Sequence, residues 1–208
     1  EIMPSLVGSE MCIRDSFITN HSTGKMGRAI AENCMLRGAH VTLVNASVSV
    51  EPPMFVDVVN VTSAADMADV VKSKAAEQDI IIMTAAVADF CPSHPADEKI
   101  KKNDSSYEAV IELERTEDIL SYLGAHKAKG QLICGFSMET QNMLENSKAK
   151  LAKKNADMIV ANNLKVAGAG FGTDTNVVTL ITADDCTELE IMDKSCVAAR
   201  IMDRLLQM

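Results

Sequence analysis

Asn20, Ser22, Thr23, Gly24, Lys25 and Gly27 sit together in the run NHSTGKMG, between an apolar segment and a helix-like stretch. An amide, two hydroxyls and two glycines at a helix start can hold an anion, because the first backbone N–H groups and the helix dipole face it and glycine lets it approach closely. Plain helix capping uses the same residue types, so both readings stand at this point. The run is neither G-x-x-x-x-G-K-[ST] nor G-x-G-x-x-G, which excludes a P-loop and a nicotinamide fingerprint.

A second group lies in DIIIMTAAVADFCP. A buried-strand pattern ends in Ala85, Ala86 and Ala88, small enough for a flat base or sugar to lie against the backbone, followed by Asp89. A carboxylate there can bind a metal ion or accept bonds from hydroxyls, and it can equally cap a turn before Pro92. Lysines supply the positive charge: Lys99, Lys101 and Lys102 in EKIKK, then Lys148, Lys150, Lys153 and Lys154 on a helical pattern. Lys150 and Lys154 share a helix face, which costs roughly a few tenths of a kcal/mol unless something negative lies between them. Solvation of a surface accounts for both sets when each is taken alone. His40, His94 and His126 show no partner spacing, no cysteine forms a nucleophile dyad, and the 13 methionines read as core filler.

The elements that must position these groups follow from periodicity. Strand patterns occupy Val41 to Val44, Val56 to Val61, Ile80 to Met83, Val110 to Leu113, Leu132 to Gly135, Met158 to Val160 and Val177 to Ile181. Helical patterns lie between several of them. One runs from Gly24 to Arg37 and stops at Gly38; another opens at Ser63 with Asp66 three residues on, a capping-box start. A third begins at Thr116 with Glu117 and Asp118 in its first turn, a fourth covers Gln141 to Lys154, and a fifth Lys194 to Leu206. The alternation predicts an α/β fold: a Rossmann-like, mostly parallel sheet with helices on both faces. Ligands in such a sheet collect outside the carboxyl ends of the strands. That rule singles out Asn20 to Gly27, Ala85 to Phe90, Phe136 to Thr140 and Ala161 to Asn163.

The 208 residues suit a single well-buried domain, with 47% hydrophobic and 24% charged residues. A net charge of -9 argues against a nucleic-acid partner, which demands a basic face. The six cysteines show neither a C-x-x-C pair nor zinc-ligand spacing, which predicts reduced thiols and a cytoplasmic location. No apolar run reaches the roughly 18 residues of a membrane span, and no signal-peptide pattern is present.

The segments FITNHSTGKMGRAIAE, AAVADF followed by EKIKK, then EDIL, GFSMET and IVANN, in this order, resemble phosphopantothenate-cysteine ligase of the bacterial type, from about Phe17 to Leu206. The resemblance implies a ligase of coenzyme A biosynthesis. Such an enzyme joins 4'-phosphopantothenate to L-cysteine through an acyl-cytidylate, releasing pyrophosphate and then CMP. CTP is the implied co-substrate, Mg2+ the implied cofactor and a homodimer the implied assembly. A fused or associated phosphopantothenoylcysteine decarboxylase, which would carry FMN, is a further implied partner.

Residue by residue, the resemblance assigns catalytic roles to Asn20, whose amide donates to the reacting carbonyl oxygen, and to Lys99, which offsets triphosphate charge. Nucleotide contacts are implied for Ser22, Gly24, Met83, Thr84, Ala85, Asp89, Lys99, Glu117, Asp118, Ile119, Leu120, Phe136, Lys150 and Lys154. Asp89 is also the candidate metal ligand.

Two departures from the family pattern stand out. The chain begins EIMPSLVGSEMCIRDS where the family has a strand, a Gly-rich turn and an Asp-Pro-Val-Arg segment, and Ser16 stands in place of the arginine. Residues 1–16 are therefore expected to be a non-native leader, with the first strand missing and activity of this chain in question. Glu117 replaces a usual proline, and both suit a first helical turn.

Two other functions compete. A Rossmann-type NAD(P)-dependent oxidoreductase of the short-chain kind requires Tyr-x-x-x-Lys, whereas Tyr107 and Tyr122 are followed four residues on by Ile111 and His126. A nucleotide-binding or assembly module without turnover is the non-enzymatic alternative.

Overall fold

The computed structural model describes residues 2–6, 22–46, 50–94, 110–138, 143–163 and 173–208. In chain order these residues form β1 (Ile2–Leu6), α1 (Lys25–Leu36), β2 (Thr42–Asn45), β3 (Asp57–Asn60), α2 (Ala64–Ala75) and β4 (Ile80–Met83). Next come β5 (Phe90–Pro92), β6 (Leu113–Arg115), α3 (Ile119–Ala125), β7 (Leu132–Met138), α4 (Met143–Lys153) and β8 (Met158–Asn162). The last are β9 (Thr175–Asn176), β10 (Val178–Ile181), β11 (Cys186–Glu188), β12 (Met192–Asp193) and α5 (Lys194–Leu205).

Eight strands make one sheet in the order β11-β10-β8-β7-β4-β1-β2-β3. The run from β8 to β3 is parallel, and β10 and β11 are added antiparallel at one end. The mostly parallel α/β architecture expected from the alternation is the one observed. Strand alternation divides the core in two. Leu43, Ile80, Ile82, Cys134, Met158 and Val160 pack against α1 and α5. Val44, Ile81, Met83, Ile133, Ile159 and Ala161 pack against α2, α3 and α4. β2, β4, β7, β8 and β10 each send apolar residues to both faces, as a sheet covered by helices on two sides requires.

Where a missing first strand was expected, the described residues do include a strand. Ile2–Leu6 fills the position between β2 and β4, pairing parallel with both. Its pattern was illegible because Pro4, which cannot donate to a ladder, interrupts it and speaks against a central strand.

Two further boundaries differ from the sequence reading. The run Val110 to Leu113 is not a strand of the main sheet; Leu113–Arg115 pairs antiparallel with Phe90–Pro92 in a separate two-stranded ladder with exposed apolar side chains. The third helix starts at Ile119 rather than Thr116. Asp118 has non-helical dihedrals and accepts the Ser121 N–H at 2.9 Å, so it is the cap itself.

Other local signals hold. Ser63 and Asp66 form the reciprocal capping box, at 3.1 and 3.0 Å, and hydrogen bonds from Thr62 and Ser63 lower the Asp66 pKa. Gly38 ends α1 with φ 84°. Asp157, at the start of β8, accepts from Lys127 at 2.5 Å and from the Ile133 N–H at 2.7 Å, fastening β7 to β8.

The described cysteines are all free thiols. Burial pushes the Cys34 thiol up to about 12, against the pull of the Arg37 charge and a backbone hydrogen bond, and burial followed by the Asp157 charge raises Cys134. Alkylation at pH 8 followed by peptide mass mapping should therefore label exposed Cys186 and Cys196 within minutes and leave Cys34 and Cys134 untouched until the protein is unfolded. Labelling of all four at one rate in the folded protein would contradict this core.

Candidate functional site

The carboxyl ends of β4, β7 and β8 open onto a cleft of about 360 Å³. Met83, Thr84 and Ala85 enter it from the end of β4, and the chain continues along one wall through Ala86, Val87 and Ala88 to Asp89. A second wall is Thr116 to Leu120, the approach to α3. Phe136, Ser137 and Met138 come from β7, Lys150 and Lys154 from α4, and Asn162 from β8. The cleft thus brings together Met83, Thr84, Ala85, Asp89, Glu117, Asp118, Ile119, Leu120, Phe136, Lys150 and Lys154, residues spread over more than seventy positions.

The two cleft walls are tied to each other. Thr116 Oγ1 donates to the Ala88 carbonyl, and the Thr116 N–H donates to the Asp89 carbonyl at 3.1 Å. Glu117 is held by Lys72 of α2 at 2.6 Å. The side-chain hydroxyl explains why a threonine stands at a loop position that the sequence reading assigned to a helix start.

Both cleft lysines are drawn inward. Lys150 Nζ donates to the Phe136 carbonyl at 2.8 Å. Lys154 Nζ binds the Asp118 carboxylate and donates to Ser121 Oγ at 2.9 Å. Burial works to raise the Asp118 pKa, yet the Lys154 hydrogen bond, the Ser121 N–H and the Lys154 charge together hold it below the ordinary carboxylate value. At neutral pH Asp118 is therefore ionised, and the stability this lends is present above the ordinary carboxylate range and lost as pH falls through its lowered value. The like-charged spacing that looked unfavourable on an isolated helix is resolved by two different acceptors.

Glycines set the wall positions. A Cβ on Gly124 of α3 would sit 1.8 Å from the Lys154 carbonyl oxygen, so the end of α4 lies directly on the helix that Asp118 caps. Asn155, at φ 48°, turns the chain out of α4 and donates to the Gly124 carbonyl at 2.8 Å.

Ser22 and Gly24 do not line this cleft. Gly24 is the N-cap of α1 at φ 76°, with no side-chain capping bond among the described residues, and α1 covers the opposite face of the sheet from α3 and α4. Near that helix start lies a second, wider cleft of about 710 Å³, bordered by Lys25, Arg28, Phe55, Asp174 and Lys194. Lys25 pairs there with Asp174 at 2.7 Å, and burial together with the Lys25 charge lowers the pKa of Lys194. Asn20, Lys99, Lys101 and Lys102 lie outside the described residues.

Ser137, Met138, Asn162 and Thr116 were not among the site residues expected, although the strand-end rule had already pointed to the segments holding the first three. Among the described residues no three His, Cys, Asp or Glu side chains converge as a metal cage, and no helix is long and apolar enough to cross a membrane.

Residues 13–208 match the family described as the DNA/pantothenate metabolism flavoprotein C-terminal domain. The chain is 47% identical over 191 residues to the coenzyme A biosynthesis bifunctional protein CoaBC of Bacillus subtilis (strain 168), covering 91% of this chain and 46% of that protein. It is 44% identical over 192 residues to a cysteine/cysteine sulfinic acid decarboxylase from an unknown prokaryotic organism, covering 91% of this chain and 53% of that one. The chain thus spans about half the length of these relatives, whose names describe the whole proteins. Among solved structures, the crystal structure of the C-terminal domain of CoaBC superposes with a TM-score of 0.82 at 39% identity, covering 98% of this chain and 92% of that one. The motif order, the sheet and these likenesses agree: the chain belongs to the DNA/pantothenate metabolism flavoprotein C-terminal domain family.

Proposed function

We propose that this chain is the ligase half of a coenzyme A biosynthesis enzyme, joining 4'-phosphopantothenate to L-cysteine at the expense of CTP. The observation that carries the reading is the convergence at one sheet edge of a small-residue wall, two lysines and the acids Asp89 and Asp118. In the first step the carboxylate of phosphopantothenate attacks the α-phosphorus of CTP and pyrophosphate leaves. In the second, the cysteine amine attacks the acyl carbon of the resulting acyl-cytidylate, an amine proton is released and CMP departs.

The cleft supplies what such a nucleotide needs. Ala85, Ala86 and Ala88 leave room for a flat base or ribose, and Lys150 and Lys154 carry charge that can pass from their internal acceptors to phosphate oxygens. Asn20 would donate its amide to the oxygen of the reacting carbonyl, and Lys99 and the α1 start at Ser22 and Gly24 would hold phosphate. Mg2+ fits this donor set through one carboxylate, Asp89, with the triphosphate supplying the rest, as is usual for that ion. When bound it neutralises phosphate charge.

Exposed apolar side chains at Phe90, Val110, Ile111 and Leu113, beside Asp89, suit a homodimer contact next to the cleft. A phosphopantothenoylcysteine decarboxylase domain on the same polypeptide and a cytoplasmic setting complete the reading, in keeping with the bifunctional relative.

Pyrophosphate release from CTP by the purified chain is expected only with phosphopantothenate present, and CMP only once cysteine is added, from a species of twice the chain mass. ATP run in parallel decides the base. Pyrophosphate release indifferent to phosphopantothenate, or nucleotide binding with no release at all, would replace the ligase with a binding module.

A further inference from the structure

Ser137 lies on β7 between Phe136 and Met138, on the strand face that carries Ile133 and Gly135 toward α3 and α4. The residue borders the cleft yet is only 3% exposed. Its neighbours have partners: Thr116 donates to Ala88, Lys150 to Phe136, Lys154 to Asp118 and Ser121, and Asn162 Oδ1 accepts from Asn176 at 2.9 Å. Ser137 Oγ has none among the described residues, and of the buried side-chain oxygens in that condition it is the one that borders the cleft.

A hydroxyl buried without a partner is costly, and native proteins rarely keep one without a use. We propose that Ser137 is a nucleoside-contacting residue, whose hydroxyl hydrogen-bonds a neutral polar atom of the base or ribose. The inference rests on the nucleotide reading of this cleft and deepens it. A serine hydroxyl can rotate about χ1 among its staggered positions, so at the border of the cleft the O–H can donate to or accept from a ligand without any backbone movement. A neutral group is the fitting partner. Ionised phosphate is expensive to bring beside so closed a position, and it is better held where the lysine charges reach solvent.

The test is Ser137→Ala, which removes one oxygen and keeps the volume of the wall. Calorimetric titration of the full chain with CTP and with CMP, at fixed Mg2+ and salt, should show both binding about 3- to 10-fold more weakly. The melting temperature of the ligand-free variant should equal or exceed that of the wild type, because no internal bond is lost. Unchanged affinity for both nucleotides overturns the proposal. So does a loss confined to CTP, which would put the contact on phosphate, and so does a lowered melting temperature without ligand, which would reveal an internal partner. Failure of the wild-type chain to bind any nucleotide would instead remove the reading of the cleft on which the proposal stands.

Discussion

Gly124→Ala should unfold at a markedly lower denaturant concentration than the wild type, losing about 3 kcal/mol or more of stability. The added Cβ would lie 1.8 Å from the Lys154 carbonyl oxygen and 2.8 Å from its carbon, atoms of the backbone that cannot rotate away. Overpacking usually costs about 1–3 kcal/mol when side chains can absorb it, and more when they cannot. Relief requires α3 and the end of α4 to separate, which also stretches the Asn155 to Gly124 bond and the Lys154 to Asp118 pair. Nucleotide affinity should fall with stability for that reason.

Gly135→Ala is the companion measurement. Its Cβ would meet Leu120 Cδ2 at 2.7 Å and Ile159 Cδ1 at 3.1 Å, both ends of flexible side chains. It should cost clearly less than Gly124→Ala in a urea unfolding series. Equal midpoints for the two variants would mean that α3 and the end of α4 are not in such close contact.

Lys150→Met should weaken CTP binding about 10- to 100-fold while leaving the unfolding midpoint within about 1 kcal/mol of wild type, because a charged hydrogen bond to phosphate is worth roughly 1.5–3 kcal/mol. Methionine keeps most of the aliphatic stem that fills the cleft wall and removes only the ammonium group. That group bonds the Phe136 carbonyl, which water at the cleft mouth can take over. The loss should also shrink as salt is raised, since the removed term is electrostatic. CTP affinity unchanged at low salt would exclude Lys150 from the phosphate site, and with it the pairing of the two α4 lysines as a nucleotide clamp.

Much of the architecture was legible one segment at a time. Ile80 to Met83 is a continuous apolar run because its strand is covered on both faces, and Ser63 with Asp66 announces a helix because their reciprocal bonds span only three residues. What failed did so for reasons of context. Ile2–Leu6 stands between β2 and β4 despite Pro4, a placement fixed by pairing with strands far away in sequence. Leu113–Arg115 lies outside the main sheet, with Leu113 exposed, and pairs instead with the segment after Asp89.

The site divides in the same way. The sequence determined the residue types in the cleft, since small residues after a buried strand, an acid behind them and lysines four apart on a helix are properties of spacing along one segment. It also determined the family, because several such segments occur in a fixed order. Only the tertiary structure decided that Lys150 and Lys154 find different acceptors and that Gly124 must be glycine. It likewise decided that Ser137, at the border of the cleft, is buried without a hydrogen-bond partner among the described residues. Those facts depend on which strand end faces which helix, and contacts between segments many residues apart are set by packing, which no local pattern encodes.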